Sequence, residues 1–356
     1  MANGLTFPSR AGQINSANDV DALFLKKFSG EILQTFEESN VFKPLHTVRT
    51  IENGKSAQFP VTGIASASYH TPGDNIAEAN DGSGNATYLS DIKKAEQTIT
   101  IDKMLLASTF LANIDDVKNH YDIRSVYANE IGKALALRFD KAVAKSFIGA
   151  ARSSAVITGG KVGGRLDVPN NDFSGPGSVG NPETVTGAEL VAAFFSAAQK
   201  LDENDVPSDG RFAVLRPQEY YRLIGGAGAL AISTSAVNKD VGGLGSVATG
   251  SIPQIAGITI YKSNNIPSTD LTSASGTNSG DAGSSNDLFA ATDGYDGDFS
   301  NSLGIVGHSA AVGTVKLLDL ATESEYQIER QGTLFVAKYA MGHGILRPEC
   351  AIELIA

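Results

Sequence analysis

Apolar residues recur at four-residue steps near the start of the chain: Val20, Phe24, Phe28, Ile32 and Phe36, with Leu23 and Leu33 beside them. That spacing gathers them on one face of a helix over residues 19–36, and Asp19 is placed to cap it. The stripe suits a core helix of the same domain, or equally an arm helix that docks on a neighbouring molecule. Residues 1–18 are small and polar and are expected to gain order only through partners. The period then changes. Residues 56–61 alternate, with Ala57, Phe59 and Val61 on one side, and residues 98–102 alternate again through Ile99 and Ile101. Between them Thr71-Pro-Gly-Asp-Asn75 and Ala79-Asn-Asp-Gly-Ser-Gly-Asn85 are rich in turn formers. The segment predicts two long strands joined by a polar tip. Such a hairpin has little core of its own and needs another surface to lie on.

Residues 115–151 carry the longest helical pattern. Ile123, Tyr127, Ile131, Leu135, Phe139, Val143 and Phe147 fall on one line, widened by Val126, Ala134, Leu137 and Ala144. Unbroken, it would run roughly 50 Å, with a kink or break expected within 119–122. Gly132 inside it costs about 1 kcal/mol relative to alanine. The apolar period is near four, so this is a spine under a sheet and not a coiled coil. Thr186 opens a further helix, its capping box completed by Glu189, with Leu190, Val191, Phe194, Phe195, Ala198 and Leu201 on the apolar side. A strand over 211–215, a helix from Pro217 through Ile224, a strand over 257–261 and mostly strand from Leu303 onward complete the pattern. The run 334–339 feeds a bend at Gly342-His-Gly344, and the run 350–355 returns from it as a hairpin. Residues 157–185 read as a long surface loop or short hairpin, 225–250 as a small, flexible and polar tract, and 268–287 as an exposed Ser/Gly/Asn tract.

The chain has 356 residues, 38 of them glycine, and no tryptophan. Many glycines with few large aromatics favour long loops and open hairpins over a densely helical enzyme. The formal net charge of −11 without a basic block makes the chain a poor candidate for gripping nucleic acid. Cys350 is the only cysteine, which excludes an intrachain disulfide and fits a reducing compartment. Its setting reads as the buried interior of a strand. The first residues lack the basic and apolar regions of a signal peptide, and no apolar run approaches the ~20 residues that span a bilayer, so a soluble protein is expected, with no membrane partner.

Motifs for chemistry fail one by one. Gly54-Lys55-Ser56 ends like a phosphate loop, but Arg49 stands where its first glycine belongs and a strand follows. Gly243-Leu-Gly-Ser-Val-Ala248 has no preceding strand, and Pro253 cuts off any helix after it. Asp293, Asp296 and Asp298 form an acidic turn that lacks the glycine and glutamate of a calcium loop. His46, His70, His120, His308 and His343 show no metal-ligand spacing. His308 and Ser309, adjacent on a strand, would point to opposite faces and cannot act as base and nucleophile. No catalytic, cofactor or metal site is expected.

Several blocks carry a family likeness in order along the chain: Ala22-Leu-Phe-Leu-Lys-Lys-Phe-Ser-Gly-Glu-Ile-Leu33, Asn53-Gly-Lys-Ser-Ala-Gln-Phe-Pro-Val61, Asn119-His-Tyr-Asp-Ile-Arg-Ser-Val-Tyr127, His308-Ser-Ala-Ala-Val-Gly-Thr-Val-Lys-Leu317 and Lys338-Tyr-Ala-Met-Gly-His-Gly-Ile-Leu-Arg-Pro-Glu349. Together they resemble the major capsid proteins of T-seven-like, short-tailed phages. The resemblance implies an α+β chain with the Hong Kong-97-like capsid fold. It would comprise an N-terminal arm (1–48), an extended β-hairpin loop (49–103), a peripheral domain with a long spine helix (104–156), a mainly axial domain with surface loops (157–305), and closing strands shared by both domains (306–356).

It further implies a protein of the virion, made and assembled in the host bacterial cytoplasm. Copies would form hexamers and pentamers of an icosahedral head around a scaffolding protein, with a portal at one vertex. The head would enclose double-stranded DNA without sequence-specific binding, and an acidic wall would leave that DNA mobile. Subunit contacts are expected at Phe24, Phe28, Phe36, Phe59, Tyr69, Pro72, Asp74, Asn75 and Tyr88. A virion decoration or fibre protein that recognises a host surface is the alternative, and a soluble hydrolase a third.

Overall fold

The computed structural model describes residues 32, 35, 40–63, 65, 67–70, 72–73, 75–76, 88, 92–101, 104–113, 123–157, 160–173, 185–225, 252, 254–269 and 297–356. Twelve strands among these residues build three sheets. They are β1 (Thr47–Thr50), β2 (Ser56–Thr62), β3 (Lys94–Thr100), β4 (Leu105–Ala112), β5 (Gly164–Asp167), β6 (Arg211–Leu215), β7 (Gln254–Ile255), β8 (Ile258–Lys262), β9 (Ser302–His308), β10 (Val312–Gln327), β11 (Gly332–Ile345) and β12 (Ala351–Ile355). Three helices accompany them: α1 (Ile123–Arg152), α2 (Gly187–Glu203) and α3 (Pro217–Gly225).

β2 and β3 pair antiparallel as an isolated two-stranded ribbon. A four-stranded sheet has the order β1-β10-β11-β4, with β1 parallel to β10 and the rest antiparallel. β10 slips register at residues 316–321, so bulges divide it into a half beside β1 and a half that shares β11 with β4. The six-stranded sheet, order β5-β12-β9-β6-β8-β7, is fully buried along β6 and β12.

The 30-residue α1 is the spine its periodicity predicts, about 45 Å long. Its first half lies under β11 and β4, its last turns under the six-stranded sheet. Phe139 meets the His343 ring of β11 at 5.2 Å, and Phe147 meets Phe212 of β6 at 5.4 Å. One apolar core therefore runs through both sheets. Where α1 ends, fully buried Glu353 on β12 takes two hydrogen bonds from Arg152, at 2.6 and 2.7 Å, one from Arg165 at 3.1 Å and one from Ser302. The Thr186–Glu189 capping box closes at the start of α2 as expected.

Three expectations need correction. Gly342 to Gly344 is no bend: β11 runs straight through to Ile345, and β12 belongs to the other sheet, so the two runs make no hairpin. The tract 157–185 is not all surface: Asp167 and Asp172 pair as a short hairpin, but β5 leading into it is buried at Leu166 and Asp167 beside β12. Cys350 is buried but sits in a 3-10 turn before β12, its thiol pushed up to about 11 by burial. β1 and β4 have no counterpart in the sequence reading.

Gly132 has a role there. A Cβ at this point of α1 would stand 3.0 Å from the Ile32 carbonyl oxygen and 2.9 Å from the Thr35 Cβ. Thr35 donates to Asn129 at 2.7 Å, and Ile32 is fully buried. The described end of the predicted arm helix thus lies on this chain's own spine, where missing side-chain atoms permit close approach. Two turns further on, buried Asp140 accepts from the Val41 and Phe42 amides at 2.8 and 3.3 Å and from Asn265 at 3.1 Å. His46 then donates from Nδ1 to the Phe42 carbonyl at 2.7 Å, and its ring lies 5.6 Å from Phe139. The same Phe139 ring meets half-buried His343, which contacts the Thr314 hydroxyl at 2.8 Å.

Burial holds both imidazoles below their ordinary value, and His46 adds to the effect on His343, which stands at about 3. A depressed histidine favours the fold above its unfolded value of 6.5, and the benefit fades as pH falls through the folded value. Burial raises the Asp140 carboxyl, which has the opposite sign and opposes the loss below its own folded value. The thermal midpoint should therefore fall between pH 7 and pH 4.5, and fall less in His343→Asn. An unchanged midpoint over that range would contradict the packing of both rings.

Candidate assembly surface

The ribbon of β2 and β3 has two unlike faces. Ala57↔Ile99, Phe59↔Gln97 and Val61↔Ala95 share one, and Ser56↔Thr100, Gln58↔Thr98, Pro60↔Glu96 and Thr62↔Lys94 share the other. The second face is exposed throughout, whereas the first is buried at Ala57 and Ile99 and half-buried farther out. This is the alternation of the sequence, with the apolar face turned toward protein.

The root of the ribbon lies on a floor of small residues. Ala57, Ile99 and Ile101 pack with Val315, Ala340 and Leu346 in a core of their own. Ile99 sits where a Cβ on Gly344 would come within 2.6 Å, and a Cβ on Gly313 would meet its Cδ1 at 3.2 Å. A Cβ on Gly342 would overlap the Thr100 carbonyl oxygen and stand 2.9 Å from its carbon. A backbone bond from Ile101 N to Lys55 O (2.7 Å) closes the root of the ribbon, and one from Ile51 N to Lys316 O (2.9 Å) keeps the chain on β10 as it leaves β1 for the ribbon. Arg49 of β1 stacks 5.4 Å from the Phe59 ring centroid and donates to the Gln58 carbonyl at 3.1 Å.

Farther out the ribbon is open. Tyr69 is fully exposed, and Pro72 and Asn75 are exposed. Tyr88 is half-buried, its ring 5.0 Å from that of His70. Of the expected contact residues, Phe59, Tyr69, Pro72, Asn75 and Tyr88 thus share one ribbon. Phe24, Phe28, Phe36 and Asp74 lie outside the described residues. The sequence reading missed the glycine floor, although Gly313, Gly342 and Gly344 at alternate strand positions are its signal.

No group of three or more metal-ligating side chains forms among the described residues. No helix among them is long and apolar enough to cross a membrane. His308 accepts from the Ala310 amide at 3.2 Å in the turn after β9, a structural partner for that ring.

Comparison with known proteins agrees with this architecture. A family model described as Gp10A-like, major capsid protein, matches residues 58–355. The major capsid protein of Escherichia phage T7 is 33% identical over 367 residues, covering 99% of this chain and 97% of that one. The major capsid protein of Enterobacteria phage T3 is 31% identical over 375 residues, covering 100% of this chain and 98% of that one. Among solved structures, the capsid of cyanophage P-SCSP1u aligns with a TM-score of 0.69 at 37% identity, covering 89% of this chain and 88% of that one. A spine helix beneath a four-stranded sheet, a second sheet at its far end and a projecting ribbon are the Hong Kong-97-like capsid fold, and the chain belongs to the Gp10A-like family of phage major capsid proteins.

Proposed function

We propose that copies of this chain close into hexamers and pentamers of an icosahedral phage head, each ribbon lying across an adjacent copy. The observation that carries this reading is the ribbon itself. Two strands leave the body with Tyr69 wholly in solvent and Ile76 more than half exposed, an arrangement one molecule cannot cover. A shell supplies the missing surface at every position at once, so modest contacts add up through their number.

In this reading residues 1–48 form the arm, 49–103 the extended loop, 104–156 the peripheral domain with the spine, 157–305 mainly the axial domain, and 306–356 strands shared by the two. Phe24, Phe28, Phe36, Phe59, Tyr69, Pro72, Asp74, Asn75 and Tyr88 are the contact residues. Assembly takes place in the host bacterial cytoplasm around a scaffolding protein, with a portal at one vertex. Double-stranded DNA is enclosed without sequence-specific binding, as the net charge of −11 favours. The chain works as architecture and not as an enzyme.

Electron microscopy of the purified protein, with scaffolding protein supplied, tests this directly. The full chain is expected to give shells, and a chain lacking residues 69–89 to stay soluble without them. Normal particles from the shortened chain would contradict the role of the ribbon, and fibres would favour a decoration or fibre protein.

A further inference from the structure

The short connection between β1 and β2 is held at both ends. Ile51 N donates to the Lys316 carbonyl at 2.9 Å, and the Lys55 carbonyl accepts from Ile101 N at 2.7 Å. Between these two points Glu52, Asn53 and Gly54 turn the chain from the four-stranded sheet into the ribbon, and all three are exposed. Gly54 has φ +111°, a conformation open to glycine and strained for a residue with a Cβ. The turn therefore requires a glycine directly after Asn53.

That pairing carries chemistry of its own. An asparagine holds its side-chain carbonyl carbon, Cγ, where the next backbone nitrogen can close a five-membered ring on it. A side chain on the following residue obstructs that approach, and Gly54 has none. Even a Cβ built there would find no atom beyond its chain neighbours nearer than the Ser56 carbonyl oxygen, at 3.9 Å. Neither Gly54 N nor the Asn53 amide takes a hydrogen bond among the described residues. At three other asparagines the following nitrogen is engaged. Val41 N, after Asn40, donates to Asp140 at 2.8 Å. Asp205 N, after Asn204, donates to the Asp202 carbonyl at 2.9 Å, and Ser302 N, after Asn301, to the Phe299 carbonyl at 3.0 Å.

We propose that Asn53 is a site of self-modification, where the chain converts its own side-chain amide into a carboxylate at the root of the ribbon. Gly54 N gives up its proton and attacks Asn53 Cγ. The N–Cγ bond forms, the Cγ–Nδ2 bond breaks, and the nitrogen leaves as ammonia with that proton. Water, the co-reactant, then opens the ring at either of its two carbonyls. Cleaving the new N–Cγ bond restores the ordinary chain with aspartate in place of Asn53. Cleaving the original peptide bond leaves the main chain running through Cγ, one methylene longer, with the carboxylate on Cα.

Either product adds one negative charge to a chain already at −11. The longer link falls between the two backbone pins, so it lets the ribbon shift against its glycine floor. The reaction is independent of shell formation, whereas its effect on assembly rests on the proposed role of the ribbon.

Peptide mapping by mass spectrometry tests the site. The full chain, kept folded in mildly alkaline buffer, should yield two new peptides that carry a hydroxyl in place of the Asn53 amino group, one aspartyl and one isoaspartyl. Their combined rate should come within about tenfold of that in a synthetic peptide spanning residues 49–58, since no local opening has to precede the attack. It should also rise with pH, because the attacking nitrogen must lose its proton. Asn53→Gln keeps the turn glycine but would have to close a six-membered ring, and should cut the rate by about tenfold or more. A folded chain slower than the free peptide by more than about tenfold would overturn the site. In particles assembled from partly modified chain, the isoaspartyl form should be depleted by about threefold, since every ribbon in a closed lattice must fit. Equal proportions would overturn the effect on the ribbon and leave the site standing. Failure of the unmodified chain to assemble would count against the shell reading alone.

Discussion

Gly342→Val should free the ribbon from the sheet and leave a chain that builds no particles. A valine there has nowhere to go. Its first carbon would overlap the Thr100 carbonyl oxygen, 2.9 Å from that carbonyl carbon and 3.2 Å from the Ile101 Cα. All three are backbone atoms, which cannot swing aside as a side chain does. Either β3 lifts, taking Ile99 and Ile101 out of their small core, or β11 distorts above α1. Overpacking costs about 1–3 kcal/mol where neighbours can adjust and more where they cannot, and the outcome here belongs to the upper end. Limited proteolysis should show early cleavage within 56–100, and microscopy should show no shells. Gly344→Ala is the control. It presses mainly on the Ile99 side chain, which has rotamers to use, and its effect should be milder. Intact particles and unchanged proteolysis of Gly342→Val would mean that the glycine floor does not hold the ribbon.

Glu353→Ala should cost about 3–5 kcal/mol, the range for removing one partner of a buried ion pair. The carboxylate is fully buried and serves Arg152 at the end of α1, Arg165 on β5 and Ser302 on β9. Its loss leaves two guanidinium groups, each about a quarter exposed, without their shared partner. That residual exposure places the loss near the lower end of the range. Urea unfolding of the variant beside the original chain measures it. Glu353→Gln should recover part of the loss, since an amide oxygen can still accept from one arginine. A loss below about 1 kcal/mol in the alanine variant would show that solvent replaces the carboxylate freely.

Periodic features of the sequence carried over well. The alternation of Ala57, Phe59 and Val61 and the four-residue steps from Ile131 to Phe147 are local signals of which side is covered, and they gave the ribbon and the spine. The capping box at Thr186 is a contact between near neighbours and was legible for that reason. β4 was not. Leu-Leu-Ala-Ser-Thr-Phe-Leu-Ala has no clear period, and its strand state follows from pairing with β11, more than two hundred residues away. Gly342-His-Gly344 was misread because glycine permits both a turn and a close approach, and only the presence of Thr100 above it decides between them. Asp140 carries no mark in the sequence that it would hold the Val41 and Phe42 amides. The ribbon was legible as alternation; the glycine floor beneath it, assembled from β10 and β11, exists only after folding.

The bulges in β10 separate the part of the sheet that anchors this chain's ribbon from the part that runs on beside β4. A chain that both gives and takes through different patches joins its neighbours head to tail, and such contacts close into a ring only when the angle between the two patches is right. In the proposed shell, residues 316–321 would bear on that angle. A slight opening or tightening of this crook would exchange a ring of five for a ring of six while every contact stayed the same, so the curvature of a whole container would be governed by a few irregular residues in one long strand.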